Sequence, residues 1–365
     1  MKTWVSALMV VAGAGLAVQA CTQSLDPSGS LGAALGVNDS GIAVGWTTTG
    51  SNGPRRAVAY RDRKVVALQL LPDDVASEAL SIDDQGWSAG YARSAAGVTR
   101  AVLWGSTGAI SAGALQTALT PTSPGSHLVA VATALSTTAQ PFLLIVGNEY
   151  QNADFSGNAR AWIYHPAIVA RVYLPGPPGP CVPPVCTPFV RLLVNDVAAP
   201  GWAAGSVQLD AGGTDRPVRW EAANVFQYLP LPESKTAVVA GVATSVNARG
   251  DSVGYVDLYE PGTMRRVQPR KAVLWPADSP SPVVLESGAN ASYAAAINDT
   301  GTIVGWVAAT NSSGEETHRA AVKWRGTESP VFLEALAPSS TSEASAVSNT
   351  GKIVGTKNGR AVQFE

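Results

Sequence analysis

The sequence is poor in charged residues, histidine and cysteine. Charged side chains make up 14% of its 365 residues, against about 25% in an average soluble protein. The 25 basic residues are balanced by 27 acidic ones, which leaves no cationic excess to neutralise nucleic-acid phosphates. Three histidines and three cysteines restrict metal or nucleophile chemistry to a few positions. We therefore expect neither a nucleic-acid partner nor a cofactor.

Hydrophobic residues and turn formers are plentiful. A hydrophobic content of 46% is enough to build a packed core and argues against intrinsic disorder. The 36 glycines and 25 prolines favour many short strands joined by turns over long helices. The composition therefore indicates an all-β class.

The N-terminus has the layout of an export signal. Residues 1–20 read MKTWVSALMVVAGAGLAVQA, with a positive start, a short apolar run and small residues at the end. The next residue, Cys21, follows a small residue as in the bacterial lipobox, although Gln19 is atypical for that motif. Ordinary cleavage before an incidental cysteine is the alternative. We predict lipidation at Cys21, a mature domain over 21–365, and an outer-membrane, periplasmic or extracellular location.

The other two cysteines form a close pair in the proline-rich stretch PGPPGPCVPPVCTP. In an oxidising compartment, Cys181 and Cys186 would form a disulfide. Free thiols are the alternative, and the spacing without a nearby histidine is poor for zinc. We predict the disulfide.

A glycine-containing motif recurs about every fifty residues. The clearest copies are ALGVNDSGIAVGW (34–46), ALSIDDQGWSAGY (79–91) and AAAINDTGTIVGW (294–306). The second glycines of the seven copies are Gly45, Gly90, Gly147, Gly205, Gly254, Gly305 and Gly355. Each copy is followed by a RAVxW-like segment that closes on an aromatic residue: Tyr60, Trp104, Tyr164, Trp220, Trp275, Trp324 and Phe364.

Each repeat predicts four strands. The NDxG segment between apolar runs is typical of a hairpin turn, RAVxW predicts a third strand, and an apolar segment such as 65–71 predicts a fourth. The last repeat ends one residue past Phe364 and lacks a fourth strand, which residues 22–26 would supply. We therefore predict a seven-bladed β-propeller of four-stranded blades, closed by the N-terminal strand; a linear β-solenoid is the alternative.

These motifs resemble the bacterial extracellular repeat of the HAF family. The units AINDTGTIVGW and ALGVNDSGIAVGW match the first half of that repeat, whereas the second half has RAVxW where the family has H-A-F-x-W. The resemblance covers nearly all of residues 21–365. It implies an exported, propeller-like protein and transfers no catalytic residues.

No catalytic or metal-binding motif is recognisable in the sequence. His127, His165 and His318 lie in different repeats and outside the repeated motif, so surface or loop roles are the simpler interpretation. Asp83 and Asp84 precede a glycine but lack the further carboxylates of a calcium loop. Propeller enzymes assemble sites from separate blades, so the sequence leaves open an enzyme that acts on an extracellular glycan or polymer.

The loops between the second and third strands vary in length and composition, which is typical of a binding face. At their edge, each repeat carries a cation: Arg56, Arg100, Arg160, Arg216, Lys271, Arg319 and Arg360. These cations would ring the central opening and attract an anionic ligand, or else pair with aromatic or acidic residues of adjacent blades. The aromatic residues that follow the second glycine pose the same choice between sugar stacking and packing: Trp46, Tyr91, Tyr255 and Trp306.

The leading functional expectation is a monomeric, non-enzymatic binding scaffold at the cell envelope. Its partner would be a protein or a glycan of the cell surface, and its contact with the membrane would be through the lipid anchor alone. A propeller hydrolase or lyase with its site at the central channel is the alternative.

Overall fold

The computed structural model of the chain describes residues 22–365, with the exception of residues 49, 51–52, 71, 106–113, 120–125, 137–141, 153, 156–157, 166–169, 178–190, 210–212, 223, 235–236, 264, 289, 312–314, 327 and 339. The predicted signal segment, Cys21, Cys181 and Cys186 lie outside the described residues. The described part is all-β, as the composition predicts. It contains no helix long and apolar enough to span a membrane.

The strands form antiparallel sheets of consecutive strands. Four separate sheets contain β2 (Gly32–Val37), β3 (Ala43–Thr48), β4 (Arg55–Arg61) and β5 (Lys64–Ala67); β6 (Asp74–Ile82), β7 (Ser88–Ser94), β8 (Thr99–Gly105) and β9 (Ala114–Leu119); β18 (Val238–Val246), β19 (Ser252–Tyr259), β20 (Lys271–Trp275) and β21 (Val283–Val284); and β22 (Ala291–Ile297), β23 (Thr302–Thr310), β24 (Glu316–Arg325) and β25 (Val331–Phe332).

An eight-stranded sheet contains two further groups of four. The groups are β10 (His127–Ser136), β11 (Phe142–Tyr150), β12 (Ala159–His165) and β13 (Ala170–Tyr173); and β14 (Arg191–Ala198), β15 (Trp202–Gln208), β16 (Arg216–Glu221) and β17 (Val225–Tyr228). One parallel residue pair, Ala159 with Arg191, joins them.

The remaining sheet combines the two ends of the described chain. It contains β26 (Ser342–Val347), β27 (Ile353–Lys357) and β28 (Arg360–Phe364), and its fourth strand is β1 (Thr22–Ser24). β1 runs antiparallel to β28, with Thr22 opposite Phe364 and Ser24 opposite Val362.

The NDxG segments form the turns between first and second strands, and their side chains also join neighbouring sheets. The Asn298 Oδ1 accepts a hydrogen bond from the Thr302 N–H at 2.8 Å, and Gly301 occupies the left-handed conformation that closes the turn. The Asn298 Nδ2 donates to the Ser348 carbonyl of the next sheet. Asn38 and Asn247 make the same kind of intersheet bond.

Every first strand contains a β-bulge, and the second glycine of the motif lies against it. The bulges fall at equivalent places, for example between Ala34 and Gly36 and between Ala294 and Ala296. A Cβ at any of the seven glycines would lie 1.8 to 2.1 Å from a backbone oxygen of the first strand. The repeated glycine is therefore required by close backbone approach.

The core lies between consecutive sheets. The closing aromatic residues of the RAVxW segments are buried, and the indole N–H groups of Trp104, Trp220, Trp275 and Trp324 donate to carbonyls of the preceding sheet's segment at 2.7 to 2.9 Å. Another core cluster joins the last sheet to the β2–β5 sheet and contains Leu25, Tyr60 and Val354.

Candidate functional site

A large cavity in the described part of the chain lies between the first strands of the sheets. It has a volume of about 830 Å³ and is lined by strands β2, β6, β14, β18, β22 and β26 and by the turns that follow them. It lies at the turn end of the sheets, where first and second strands are joined. The varied loops between second and third strands are at the opposite end.

The rim of this cavity is held by hydrogen bonds between successive turns. The Asp39 N–H donates to the Asp84 carboxylate of the next sheet at 2.8 Å, and the Thr350 N–H donates to the Asp39 carboxylate at 3.1 Å. The Ala248 N–H donates to Asp299 in the same way. These carboxylates therefore have a structural role while they lie at the mouth of the cavity.

Two carboxyl groups in the wall of the cavity titrate abnormally. Burial raises the pKa of Asp196 to about 6; its Oδ2 accepts hydrogen bonds from the Ser245 hydroxyl and the Val246 N–H. Burial also raises the pKa of Asp83 to about 6. Perturbed pKa values concentrate at functional sites, so these two groups distinguish the cavity chemically.

Asp83 occupies the position that Asn38, Asn247 and Asn298 occupy in other repeats. Its Oδ1 accepts hydrogen bonds from the Gln85 and Trp87 N–H groups, as the asparagine oxygens do. Its Oδ2 is buried and has no hydrogen-bond partner, and the side chain is 7% exposed.

The cavity is acidic. Five aspartates line it, namely Asp39, Asp83, Asp84, Asp196 and Asp299, and the described lining contains no lysine, arginine or histidine. Among the described residues, no group of three or more histidine, cysteine, aspartate or glutamate side chains is placed to hold a metal ion. The wall therefore presents excess negative charge to whatever enters.

The structure places the predicted cations away from the central opening. All seven lie on the third strands of their sheets, two strands away from those that line the cavity: Arg56, Arg100, Arg160, Arg216, Lys271, Arg319 and Arg360. The expectation that they ring the opening is therefore wrong, because the third strand of each sheet is separated from the cavity by the first and second. Their role in binding stays a prediction.

Several of these cations contact acids, carbonyls or rings. Arg100 forms ion pairs with Asp73 and Asp74. The Lys271 Nζ donates to the Gly288 carbonyl at 2.7 Å. The Arg160 guanidinium lies 5.7 Å from the Tyr173 ring centre. The Arg56 Nη1 donates to the Asp74 carbonyl at 3.4 Å. Arg216 and Arg360 are exposed.

The predicted aromatic residues lie on second strands, and three of the four carry an arginine on the ring. Arg55 lies 4.2 Å from the centre of Trp46, Arg270 3.8 Å from Tyr255, and Arg319 4.1 Å from Trp306. Tyr91 instead contacts Phe155 edge-on, with 5.6 Å between ring centres.

Arg319 belongs with Arg55 and Arg270 rather than with Arg56. Gly45 is opposite Val58 and Gly305 is opposite Val322. Arg319 lies three residues before Val322, and Arg55 likewise lies three residues before Val58. Arg56 lies only two residues before Val58. The extra alanine in RAAVKW is the sequence signal of this shift, and an alignment of the repeats on their leading arginine conceals it.

Two arginines of this second set, Arg55 and Arg319, reach the next sheet. The Arg55 Nη1 bonds to Glu78 at 2.7 Å and the Arg319 Nη1 bonds to Glu343 at 2.5 Å. Glu78 and Glu343 lie on the first strands of the neighbouring sheets. Arg55 and Arg319 therefore each stack on a ring of their own sheet and join it to an acid of the next, whereas Arg270 pairs with Asp257 of its own sheet.

The described histidines are separate from the cavity lining. The His127 Nδ1 accepts a hydrogen bond from the Thr99 N–H at 3.3 Å, and burial lowers the pKa of its imidazole. His318 is half-buried, with its Nδ1 3.0 Å from the Thr317 hydroxyl oxygen, and His165 lies on β12.

Comparisons with solved structures identify the architecture. The chain is similar to a streptogramin B lyase structure with a TM-score of 0.50 at 8% identity, over 95% of this chain and 97% of that one. It also matches the β-propeller domain of the Trilobed protease from Pyrococcus furiosus with a TM-score of 0.49 at 10% identity, over 92% and 94% of the chains. No protein-family model and no curated protein matches the sequence. At these identities the likeness concerns the fold alone, and the chain is a β-propeller protein.

Proposed function

We propose that the protein is an exported, lipid-anchored propeller of seven blades that serves as a non-enzymatic binding scaffold at the cell envelope. The seven repeats, each associated with four strands, support the blade count. The layout of residues 1–20 and Cys21 supports export and acylation. The repeat pattern supports membership of the HAF repeat family.

Closure of the ring by the N-terminal strand is supported by two contacts. β1 pairs with β28 and gives the last blade its fourth strand. The Thr350 N–H and hydroxyl donate to Asp39, which joins the last blade to the first at the turn end. A closed ring leaves fewer unpaired strand edges exposed than an open one.

The acidic cavity is the observation that carries the binding role. Five carboxylates without a basic residue in the described lining favour a cationic group. The buried, unpartnered Oδ2 of Asp83 is a second acceptor feature in the wall. A volume of about 830 Å³ is within the range of ligand pockets. We propose that the cavity accepts an ammonium or guanidinium group of a cell-surface protein or glycan.

Calorimetric titration with spermidine as the probe tests this site. Wild type should bind at pH 7, and binding should weaken with salt because the attraction is electrostatic. Asp84→Asn/Asp299→Asn removes two carboxylates of the cavity mouth and should weaken binding by about tenfold or more. Glu260→Gln, an exposed acid at the loop end, is the matched control. Equal affinities of wild type and the double variant would contradict the proposal.

A hydrolase or lyase is the second candidate, because Asp83 and Asp196 hold carboxyl groups with a pKa of about 6 in the cavity wall. Such groups serve as general acids near neutral pH. Release of reducing ends from bacterial polysaccharides by wild type, and its loss in Asp196→Asn, would favour the enzyme over the scaffold.

Acylation is tested by labelled palmitate in a bacterial host. Wild type should incorporate the label, and Cys21→Ser should not and should leave the membrane fraction. Equal incorporation by both proteins would refute lipidation at Cys21.

A further inference from the structure

The strand next to the proposed lipid is at the outer rim of the propeller. β1 is the outermost strand of its blade, paired along β28. Thr22 is opposite Phe364 and directly follows Cys21 in the sequence. The inference below rests on the proposed acylation, because a lipid at Cys21 would be attached to this point of the rim with almost no tether.

The blade on one side of β1 presents a basic hairpin. The tip of the β4–β5 hairpin reads Arg61-Asp62-Arg63-Lys64. Asp62, Arg63 and Lys64 are exposed, and the Arg61 side chain is 41% exposed. The β2–β5 blade packs directly against the blade that contains β1 through Leu25, Tyr60 and Val354. Three cations and one acid therefore stand beside the lipid position.

The blade on the other side presents apolar side chains. Val331 and Phe332 on β25 are 55% and 41% exposed. This blade packs against the last one through a cluster that contains Leu333 and Phe364. Exposed apolar residues thus lie on the same stretch of rim as the basic hairpin, with β1 between them.

The hairpin conformation is itself costly. Asp62 and Arg63 have φ values of 48° and 60°, the left-handed region that two-residue hairpin turns require and that glycine and asparagine usually fill. Non-glycine residues held there indicate a constraint beyond local preference. Arg63 is therefore held at the tip against its backbone preference.

The charge of this tip differs from that of distant tips. The corresponding connection after β16 contains Glu221 and no cation, and the one after β20 contains Asp278 and no cation. Of these three connections, the one that is net positive is the one beside β1. Anionic lipid headgroups attract such a segment, and each added cation near the surface strengthens binding by about fivefold.

We propose that the lipid-proximal rim, defined as Arg61, Arg63, Lys64, Val331 and Phe332, lies against a bilayer containing anionic phospholipids. The three cations contact headgroups, and Val331 and Phe332 reach the interfacial layer. The disk then stands edge-on to the membrane with a fixed orientation. Glu221 and Asp278 lie on other blades, those of β16 and β20, and stay outside the contact with the bilayer.

Fluorescence quenching measures this orientation on the acylated full chain. The mature protein is reconstituted in phosphatidylethanolamine–phosphatidylglycerol vesicles that contain nitroxide-labelled lipid. A fluorophore is attached at Lys64→Cys or, as the matched control on another hairpin tip, at Asn224→Cys. Quenching should be at least about threefold stronger at position 64. Equal quenching at the two positions on vesicle-bound protein would overturn the proposal.

A second measurement separates the rim from the anchor. Unacylated Cys21→Ser protein should bind phosphatidylglycerol vesicles weakly but measurably more than phosphatidylcholine vesicles. Arg63→Gln/Lys64→Gln in that background should lower the affinity by about 25-fold, whereas Arg265→Gln at the loop end should not change it. Absence of palmitate at Cys21 would refute the anchor alone. Equal binding of Cys21→Ser protein to phosphatidylglycerol and phosphatidylcholine vesicles would refute the proposed membrane contact of the rim. An unchanged affinity of the double variant for phosphatidylglycerol vesicles would refute it as well.

Discussion

Replacing Asp83 by asparagine should stabilise the protein at neutral pH and reduce the dependence of its stability on pH. The pKa of this buried carboxyl is about 6, compared with an ordinary value of 3.8. The folded state therefore holds the proton more tightly than the unfolded chain. The protonated Asp83 contributes its full stabilisation of the folded state below pH 3.8, and this stabilisation is lost as the pH rises through 6. The difference between the two pKa values corresponds to about 3 kcal/mol, at 1.36 kcal/mol per pKa unit.

Asparagine avoids this loss because it has the same shape and no charge. Its Oδ1 would still accept from the Gln85 and Trp87 N–H groups, and its Nδ2 would stand where Asn298 carries the donor that reaches the next sheet. We expect Asp83→Asn to raise the free energy of unfolding by about 2–3 kcal/mol at pH 7 and by little at pH 4.

Urea unfolding from pH 4 to pH 8 provides the measurement. Asp84→Asn is the matched control, because Asp84 is the exposed neighbour in the same turn and an amide oxygen still accepts the Asp39 N–H; its effect at pH 7 should be well below that of Asp83→Asn. Asp196 titrates in the same direction, so part of the pH dependence should persist in Asp83→Asn. A variant that is less stable than wild type at pH 7, or as pH-dependent as wild type, would refute the reasoning.

Three further predictions concern contacts that the repeats share. Gly305→Ala should lower the free energy of unfolding, measured in urea, by about 3 kcal/mol or more, because its Cβ would lie 1.9 Å from the Tyr293 oxygen. The control Gly326→Ala should lower it by only about 1 kcal/mol, because Gly326 has a positive φ but open surroundings. Asn298→Ala should cost about 2–4 kcal/mol by the same assay, since the buried partners of its amide are left unpaired; a loss below 1 kcal/mol would contradict this. Deletion of residues 22–30 should lower the melting temperature by several degrees or cause aggregation, and unchanged melting and protease resistance would show that β1 is dispensable.

The local chemistry of the turns was predictable from the sequence, whereas contacts between sheets were not. NDxG predicts a capped turn, and Asn298 with Gly301 forms one. The same motif does not reveal that the Asn298 amide bonds to the next sheet, because that partner is 50 residues away. The repeated glycine was recognisable as a pattern, but its cause, a backbone oxygen within 2.1 Å of a Cβ, depends on a bulge in another strand.

At the candidate site, too, residue types were predictable from the sequence and their spatial arrangement was not. The cations of the third strands were expected at the central opening, because spacing along the chain does not reveal how far each strand lies from the axis. The shift of Arg319 by one residue was hidden for a related reason, since an inserted alanine changes the face of a strand without changing the motif. Asp83 was visible as an aspartate in an asparagine position, but its consequence required its burial and its unpartnered oxygen.

The pairing of β1 with β28 has a consequence for the order of folding. Among the described strands, β1 is synthesised first and its partner β28 last, so all the strands between them must be made before Thr22 can meet Phe364. Until then, β28 has one unpaired edge and Leu25 lacks part of its packing against Val354. Contacts of such long sequence separation form slowly. Completion of this sheet should therefore be the late step of folding, and the growing chain should be most prone to edge-to-edge aggregation just before it.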